Sequence, residues 1–270
     1  MIKINGLFND DDHIIREQKG IFSVVEHVRD LAVSPYTAQE EYFMAKMGVR
    51  KKQIFAILDG TKGAIIQAGA MQWTAGNVSA TTGLKGAGDF IGKIFKGAAT
   101  GESAIKPEYV GNGYLMLEPT YKYILLESVE DWNGGLVLDD GLFLACESNI
   151  KQNLQARSNI SSAVLGNMGL FNLKLEGNGI CALESNVPRE ELIEIELQDD
   201  VLKIDGNFAV CWSGSLSFTT ERSSRTLIGS AASGEGLVNV YRGTGKVLLS
   251  PLDDPSSLTT AAQLGNTPKD

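Results

Sequence analysis

The chain has 270 residues, 43% of them hydrophobic, enough to bury a large core either as one big β domain or as two smaller units. Its 24 basic and 33 acidic side chains leave a net charge of −9, which disfavours the basic stripes that phosphate backbones attract. DNA is therefore excluded as a partner and RNA disfavoured, with Arg50, Lys51 and Lys52 the one short basic run.

Taken in chain order, the start MIKINGLFNDDDHII lacks the basic-then-apolar plan of a secretion signal, and no run approaches the roughly 18 apolar residues that cross a bilayer. A cytoplasmic protein is the expectation. Asp10, Asp11, Asp12 and His13 resemble a metal cluster, but consecutive acids point apart and no ligand spacing recurs, so a solvated loop is expected. In SPYTAQEEYFMAKMG, Thr37 and Glu40 have the spacing of a capping box, and Gly48 stands where a left-handed residue ends a helix. The spacing predicts a helix over 37–47 with Tyr42, Phe43 and Met47 on an apolar face, packed on the fold or on a neighbouring subunit.

Beyond residue 50 the pattern becomes short apolar or alternating runs broken by glycine, which predicts strand after strand. The candidates are QIFAIL, GAIIQAG, YLMLE, YKYILLE, GLFLAC, FNLKLE, FAVCW and KVLLS. Ile193, Ile195 and Leu197 alternate with Glu194 and Glu196, the sign of a strand with one wet face. The stretch 83–101, GLKGAGDFIGKIFKGAATG, differs. Phe90, Ile91, Ile94 and Phe95 predict a short amphipathic helix within 86–97, and Lys85, Lys93 and Lys96 beside them suit a membrane surface or a protein partner. The tail 253–270 is polar.

Glycines at 177 and 179 followed by Ala182 satisfy the G-x-G-x-x-A spacing of a dinucleotide loop. The same stretch recurs: VGNGYLMLEP from 110, EGNGICALES from 176 and RGTGKVLLSP from 242, each 66 residues after the last. DGLFLAC from 140 and DGNFAVC from 205 follow nearly the same register, which makes Cys146 and Cys211 equivalent. The chain thus holds a β unit of about 66 residues, used at least twice and begun a third time. A phosphate loop needs a helix directly after its glycines, whereas ICALESNVPREELIEIEL supplies strand, proline and strand. The glycines are expected to form tight turns between strands, with no cofactor.

The remaining chemistry-bearing residues are few. Cys146, Cys181 and Cys211 sit in apolar strand contexts and read as small core residues in a reducing compartment. His13 and His27 both precede the β region, so no nucleophile–histidine pair forms within it. The pairs Asp139–Asp140, Asp199–Asp200 and Asp253–Asp254 read as turn residues. Trp73, Trp132 and Trp212 invite a small-molecule pocket between subunits, although Trp212 in FAVCW suits a core equally well. Arg222 and Arg225 form the best exposed-looking basic pair. No catalytic, cofactor-binding or metal-binding residue is assigned.

AGAMQW (68–73), GES (101–103), GGLVLDDGLFLACES, GNGICALES, DGNFAVCW and SGEGLVNVYRGTGKVLLSP together resemble the altered inheritance of mitochondria family, grouped with the tryptophan RNA-binding attenuation protein as TRAP-like. The resemblance runs from about 54 to 251 and implies an all-β fold of duplicated TRAP-like β-sandwich, or double-stranded β-helix, units. It also implies a homotrimer and carries no site residues across. The expected organisation is a segment 1–50 with a short capped helix, a tandem β domain over 51–252 and a tail over 253–270. The leading functional expectation is a non-enzymatic oligomeric scaffold or regulatory interaction protein, membrane-associated through the 83–101 loop. A small-ligand- or RNA-binding regulatory module is the alternative, and a metal-free cupin-like enzyme stands third.

Overall fold

A computed structural model describes residues 2–8, 11–81, 106–156, 171–222 and 237–252. The proposed 83–101 loop with its helix, Asp10, Arg225 and the whole 253–270 tail, with its Asp253–Asp254 pair, lie outside these residues. The fold is all-β, and the described residues form two curled sheets and one α-helix.

The nine-stranded first sheet contains β1 (His13–Lys19), β2 (Phe22–His27), β3 (Lys52–Asp59), β4 (Ala64–Ile66), β5 (Met71–Thr81), β6 (Glu108–Leu117), β7 (Tyr123–Ser128), β9 (Phe143–Glu147) and β12 (Ile180–Ser185). Their order is β1-β2-β3-β6-β4-β9-β12-β7, with β5 also paired to β6. The second sheet runs β10-β11-β8-β14-β16-β13, with β15 also on β16. These strands are β8 (Leu136–Leu138), β10 (Lys151–Ala156), β11 (Phe171–Glu176), β13 (Ile193–Asp205), β14 (Ala209–Ser213), β15 (Ser217–Arg222) and β16 (Leu237–Leu249). Every pairing between these strands is antiparallel, as a chain of hairpins rather than βαβ crossovers requires.

Side-chain alternation distributes the core into layers. One face of the first sheet supplies Phe22, Val24, Ile54, Ala56, Leu115, Leu126 and Ala182 to a single cluster, so the sheet curls around its own core. Lys19 of β1 donates to the Leu126 carbonyl of β7 at 3.3 Å, tying the two ends of the curl. Leu125, Cys146, Cys181 and Leu183 on the opposite face meet Leu138, Leu175, Cys211 and Leu248 of the second sheet. The far face of the second sheet carries Trp212, Tyr241 and Val247.

The 66-residue repeat becomes three equivalent hairpins. Met71 pairs with Leu117, Phe143 with Leu183 and Ala209 with Leu249, and in all three the ladder is bulged at or next to that pair. The outgoing limbs are β5, β9 with β10, and β14 with β15. The returning limbs are β6, β11 with β12, and β16. This register corrects the equivalence of Cys146 and Cys211: Ala145 lies opposite Ala182 and Cys211 opposite Leu248, so the two cysteines are offset by one residue. Both still face the core between the sheets, because β9 and β14 lie in different sheets that turn opposite faces of the repeat toward it.

The glycine turns also need correction. Gly111 and Gly113 lie inside β6, and Gly243 and Gly245 inside β16, with no reversal at either place. In the middle copy Gly177–Gly179 joins β11 to β12, which do not pair with each other. There the returning limb leaves one sheet and enters the other, and the outgoing limb crosses opposite it between β9 and β10. Corners of packed β layers are made by strands that change sheets in this way.

The helix α1 (Ala38–Lys46) matches the predicted span, and Gly48 at φ +83° follows it. Its start differs: Thr37 makes no side-chain cap, because its hydroxyl bonds to Ser34 instead. None of its residues is buried; Phe43 and Met47 are largely exposed, and Tyr42, also more than half exposed, borders a cavity between the helix and the sheet.

Candidate functional site

The middle glycine corner carries the densest polar contacts. Glu147, at the end of β9, is 0% exposed. Its carboxylate accepts the Ile21 N–H and the Ile180 N–H, each at 3.3 Å, and the Lys62 ammonium at 2.9 Å. Glu130 accepts the Gly179 N–H at 2.9 Å. The amides that a dinucleotide phosphate would need are therefore occupied by the protein's own carboxylates. A Cβ on Gly179 would stand 2.8 Å from the Glu147 carboxylate, so this close approach requires glycine.

The basic run Arg50–Lys52 enters β3, and strand alternation parts it. Lys51 turns toward α1, where Asp30 receives it at 2.6 Å, Glu41 lies at 3.7 Å and its ammonium sits 5.4 Å from the Tyr121 ring centroid. The hydrogen bond that Lys51 donates to Asp30 raises the Lys51 pKa, and the same bond lowers that of Asp30. Val28, Val33, Ala38, Ala45 and Val49 complete a mostly apolar cavity of about 290 Å³ there.

Lys52 turns the other way, toward Glu26 of β2, which is buried, while Arg50 stands between the two, donating to the Val28 carbonyl and also bordering the first cavity. Arg16 binds Glu26 Oε1 at 2.7 Å, while Lys52 Nζ and Arg50 Nε stand 3.9 and 4.0 Å from the carboxylate. Lys52 Nζ donates to the Arg50 carbonyl at 3.0 Å and lies 4.5 Å from the Tyr123 ring centroid. Burial lowers the Lys52 pKa, only partly offset by Glu26. Arg16, Glu17, Glu26, Lys52, Tyr123, Arg189 and Glu190 line a recess of about 430 Å³ beside these groups. Burial likewise raises the pKa of Glu17, with Lys19 opposing.

A second feature is an edge. Among the described residues β13 pairs with β16 alone, and its other side forms an open edge. Ile193 and Val201 on it are 49% and 45% exposed. Gln198 and Asp199, the latter at φ +53°, form a bulge inside this strand and Asp200 re-enters the ladder opposite Gly243, in place of the turn read from the sequence.

The other sequence candidates are dispersed. Trp73 packs by Phe55 on the outer face of the first sheet, Trp132 lies in the core between the sheets, and Trp212 lies on the far face of the second. Three separate surroundings replace the imagined shared pocket. His13 and His27 face each other across β1 and β2 with ring centroids 4.8 Å apart, and His27 shares a 2.7 Å bond with Gln53. Asp12 pairs with Arg29 at 2.6 Å, and Asp139 accepts Asn207 at 2.8 Å in the turn before β9. Arg222 ends β15. Among the described residues no three His, Cys, Asp or Glu gather as metal ligands.

All three cysteines are free and buried. Desolvation pushes the Cys146 thiol up to about 12 and those of Cys181 and Cys211 well above their usual range, which suits core residues rather than nucleophiles. No helix among the described residues is long and apolar enough to cross a membrane.

Residues 46–252 match the family model described as mitochondrial biogenesis AIM24. An uncharacterised protein of Streptococcus pyogenes serotype M6 is 29% identical over 199 residues, covering 70% of this chain and 76% of that protein. A Streptococcus pyogenes protein with a known X-ray crystal structure is 26% identical, with a TM-score of 0.58 over 80% of this chain and 94% of its own.

Proposed function

This chain belongs to the mitochondrial biogenesis AIM24 family, and on that premise we propose that it acts without catalysis, as an oligomeric β-rich scaffold or regulatory interaction protein. The observation that carries this reading is the open edge of β13. The outer side of the thirteen-residue β13, which no other described strand covers, with half-exposed Ile193 and Val201, forms a template for another chain, and folded proteins cover such edges. A second copy is the occupant proposed, in the trimer that a TRAP-like assembly implies, with a cytoplasmic setting. Mass measurement by size exclusion with light scattering tests it: wild type should run as a trimer and the double variant I193K/V201K as a smaller species. A monomeric wild type, or an unchanged mass in the variant, would remove this reading. Membrane contact through 83–101 belongs to the same proposal. Equal liposome co-sedimentation by intact protein and a deletion of residues 83–101 would end that part.

A second reading, a small-ligand-binding regulatory module, is supported by the recess around Lys52, whose size falls within the ordinary range of ligand sites. RNA gains no such support, and the charge of −9 opposes it.

A further inference from the structure

We propose that the recess walled by β1, β2, β3 and β7 binds a small organic or inorganic anion, a carboxylate or phosphate, through the buried ammonium of Lys52. The proposal rests on the ligand-binding reading and names its chemical class.

Lys52 differs from its neighbour Lys51 in how its donors are used. An ammonium has three N–H donors. Lys51 has a hydrogen-bonded carboxylate at 2.6 Å and a second acid at 3.7 Å. The Lys52 side chain is only 7% exposed, yet among the described residues its ammonium makes one hydrogen bond, to the Arg50 carbonyl, and has one carboxylate beyond hydrogen-bond distance at 3.9 Å. Glu26 leans toward Arg16 instead. Buried ammonium groups need acceptors, and burial here lowers the basicity of Lys52 with only partial compensation from Glu26.

Charge points the same way. Three cations, Arg16, Arg50 and Lys52, converge on the single buried carboxylate of Glu26. From the far wall Arg189 is committed to Glu127 at 3.1 Å and Glu194 at 2.6 Å, so it neither relieves nor adds to the demand. Glu17 of β1 and Glu190 at the rim are the further acids, and Glu190 acts favourably on the Lys52 ammonium from a distance. A carboxylate or phosphate oxygen entering the recess would supply the acceptor that Lys52 lacks. The face of Tyr123 and the side chains of Val24 and Ile124 provide its apolar wall.

Isothermal titration of the full chain at constant ionic strength tests this, with succinate and inorganic phosphate as anionic probes and butane-1,4-diol as the neutral one. An anion should bind once per chain, about tenfold more weakly in K52M. E190Q, at the rim, should bind it a few-fold more tightly, about the effect of removing one like charge. The rim variant keeps the test decisive if K52M fails to fold. Anion binding that neither variant alters would overturn the assignment. Binding of the diol but not of the anions would overturn the anionic class while leaving the ligand-binding reading standing. Silence from all three probes would remove both.

Discussion

The middle glycine pair and its two outer counterparts share a sequence and a place in the repeat, yet they do different things. Gly111 and Gly243 bend strands that continue within one sheet, at φ +125° and +122°. Gly177, at φ +116°, has nearly the same backbone but opens a corner between two sheets. The conformation of the first glycine is therefore common to all three copies, and the surroundings differ. In the first copy the glycines lie against the β5 backbone: Gly111 faces the Asn77 carbonyl and Gly113 that of Ala75. In the middle copy the partner strand is broken opposite the glycines, and Glu147 and Glu130 take the freed amides. Duplication supplied the bend, and two carboxylates turned one bend into a junction.

The strongest way to break this contrast is to remove Glu147. Glu147→Ala strands the Ile21 and Ile180 amides and leaves a void, costing about 3–4 kcal/mol in urea denaturation. Glu130→Ala should cost about 1 kcal/mol, since that acid is exposed and holds one amide. Equal losses would mean that the corner does not depend on the buried carboxylate. Next comes a matched pair of glycine replacements. A Cβ at Gly111 meets the Asn77 carbonyl, whereas at Gly177 the nearest atom is 3.4 Å away. Gly111→Ala should cost about 2–3 kcal/mol and Gly177→Ala about 1 kcal/mol, the latter from the positive φ alone. The reverse order in thermal melts would refute the steric difference.

The smallest effect concerns an outer hairpin. Arg242 on β16 grips Glu221 on β15 with bonds of 2.6 and 2.8 Å, and this hydrogen bonding, with help from Thr219, brings the Glu221 pKa down to about 2. Because the folded value lies below the ordinary 4.5, the stabilisation is complete above 4.5 and disappears as pH falls through about 2. At 37% side-chain exposure, solvent screening keeps it below about 1 kcal/mol. Carboxyl NMR should show Glu221 titrating near 2 in wild type and moving upward in Arg242→Gln. A wild-type titration near 4.5 would contradict the pairing.

Most strands after residue 50 were legible because alternation and glycine punctuation act locally. The N-terminal hairpin was not. FSVVEH buries Ser23 and Glu26 alongside Phe22, Val24 and Val25, so polarity does not mark its faces. The recess escaped notice for a related reason: Lys52 reads as part of a solvated basic run, and its counter-charge Glu26 comes from another strand. Alternation across Arg50, Lys51 and Lys52 was the one local sign that the run would part. α1 was placed correctly, but its apolar residues could not reveal which way they face, because a helix pattern fixes a stripe and not its neighbour. The three tryptophans are each core-like in isolation, and only the sheet faces separate them.

The contacts of Glu147 also impose an order on assembly of the chain. Ile21 and Glu147 are 126 residues apart, and the carboxylate reaches a further 33 residues forward to Ile180. During synthesis from the N-terminus, the β1–β2 hairpin cannot acquire this acceptor until the middle repeat has emerged. Long-range closures of this kind slow folding and leave early segments waiting with open edges. The buried acid is thus a late fastener, closing a hairpin made first onto a junction made more than a hundred residues later.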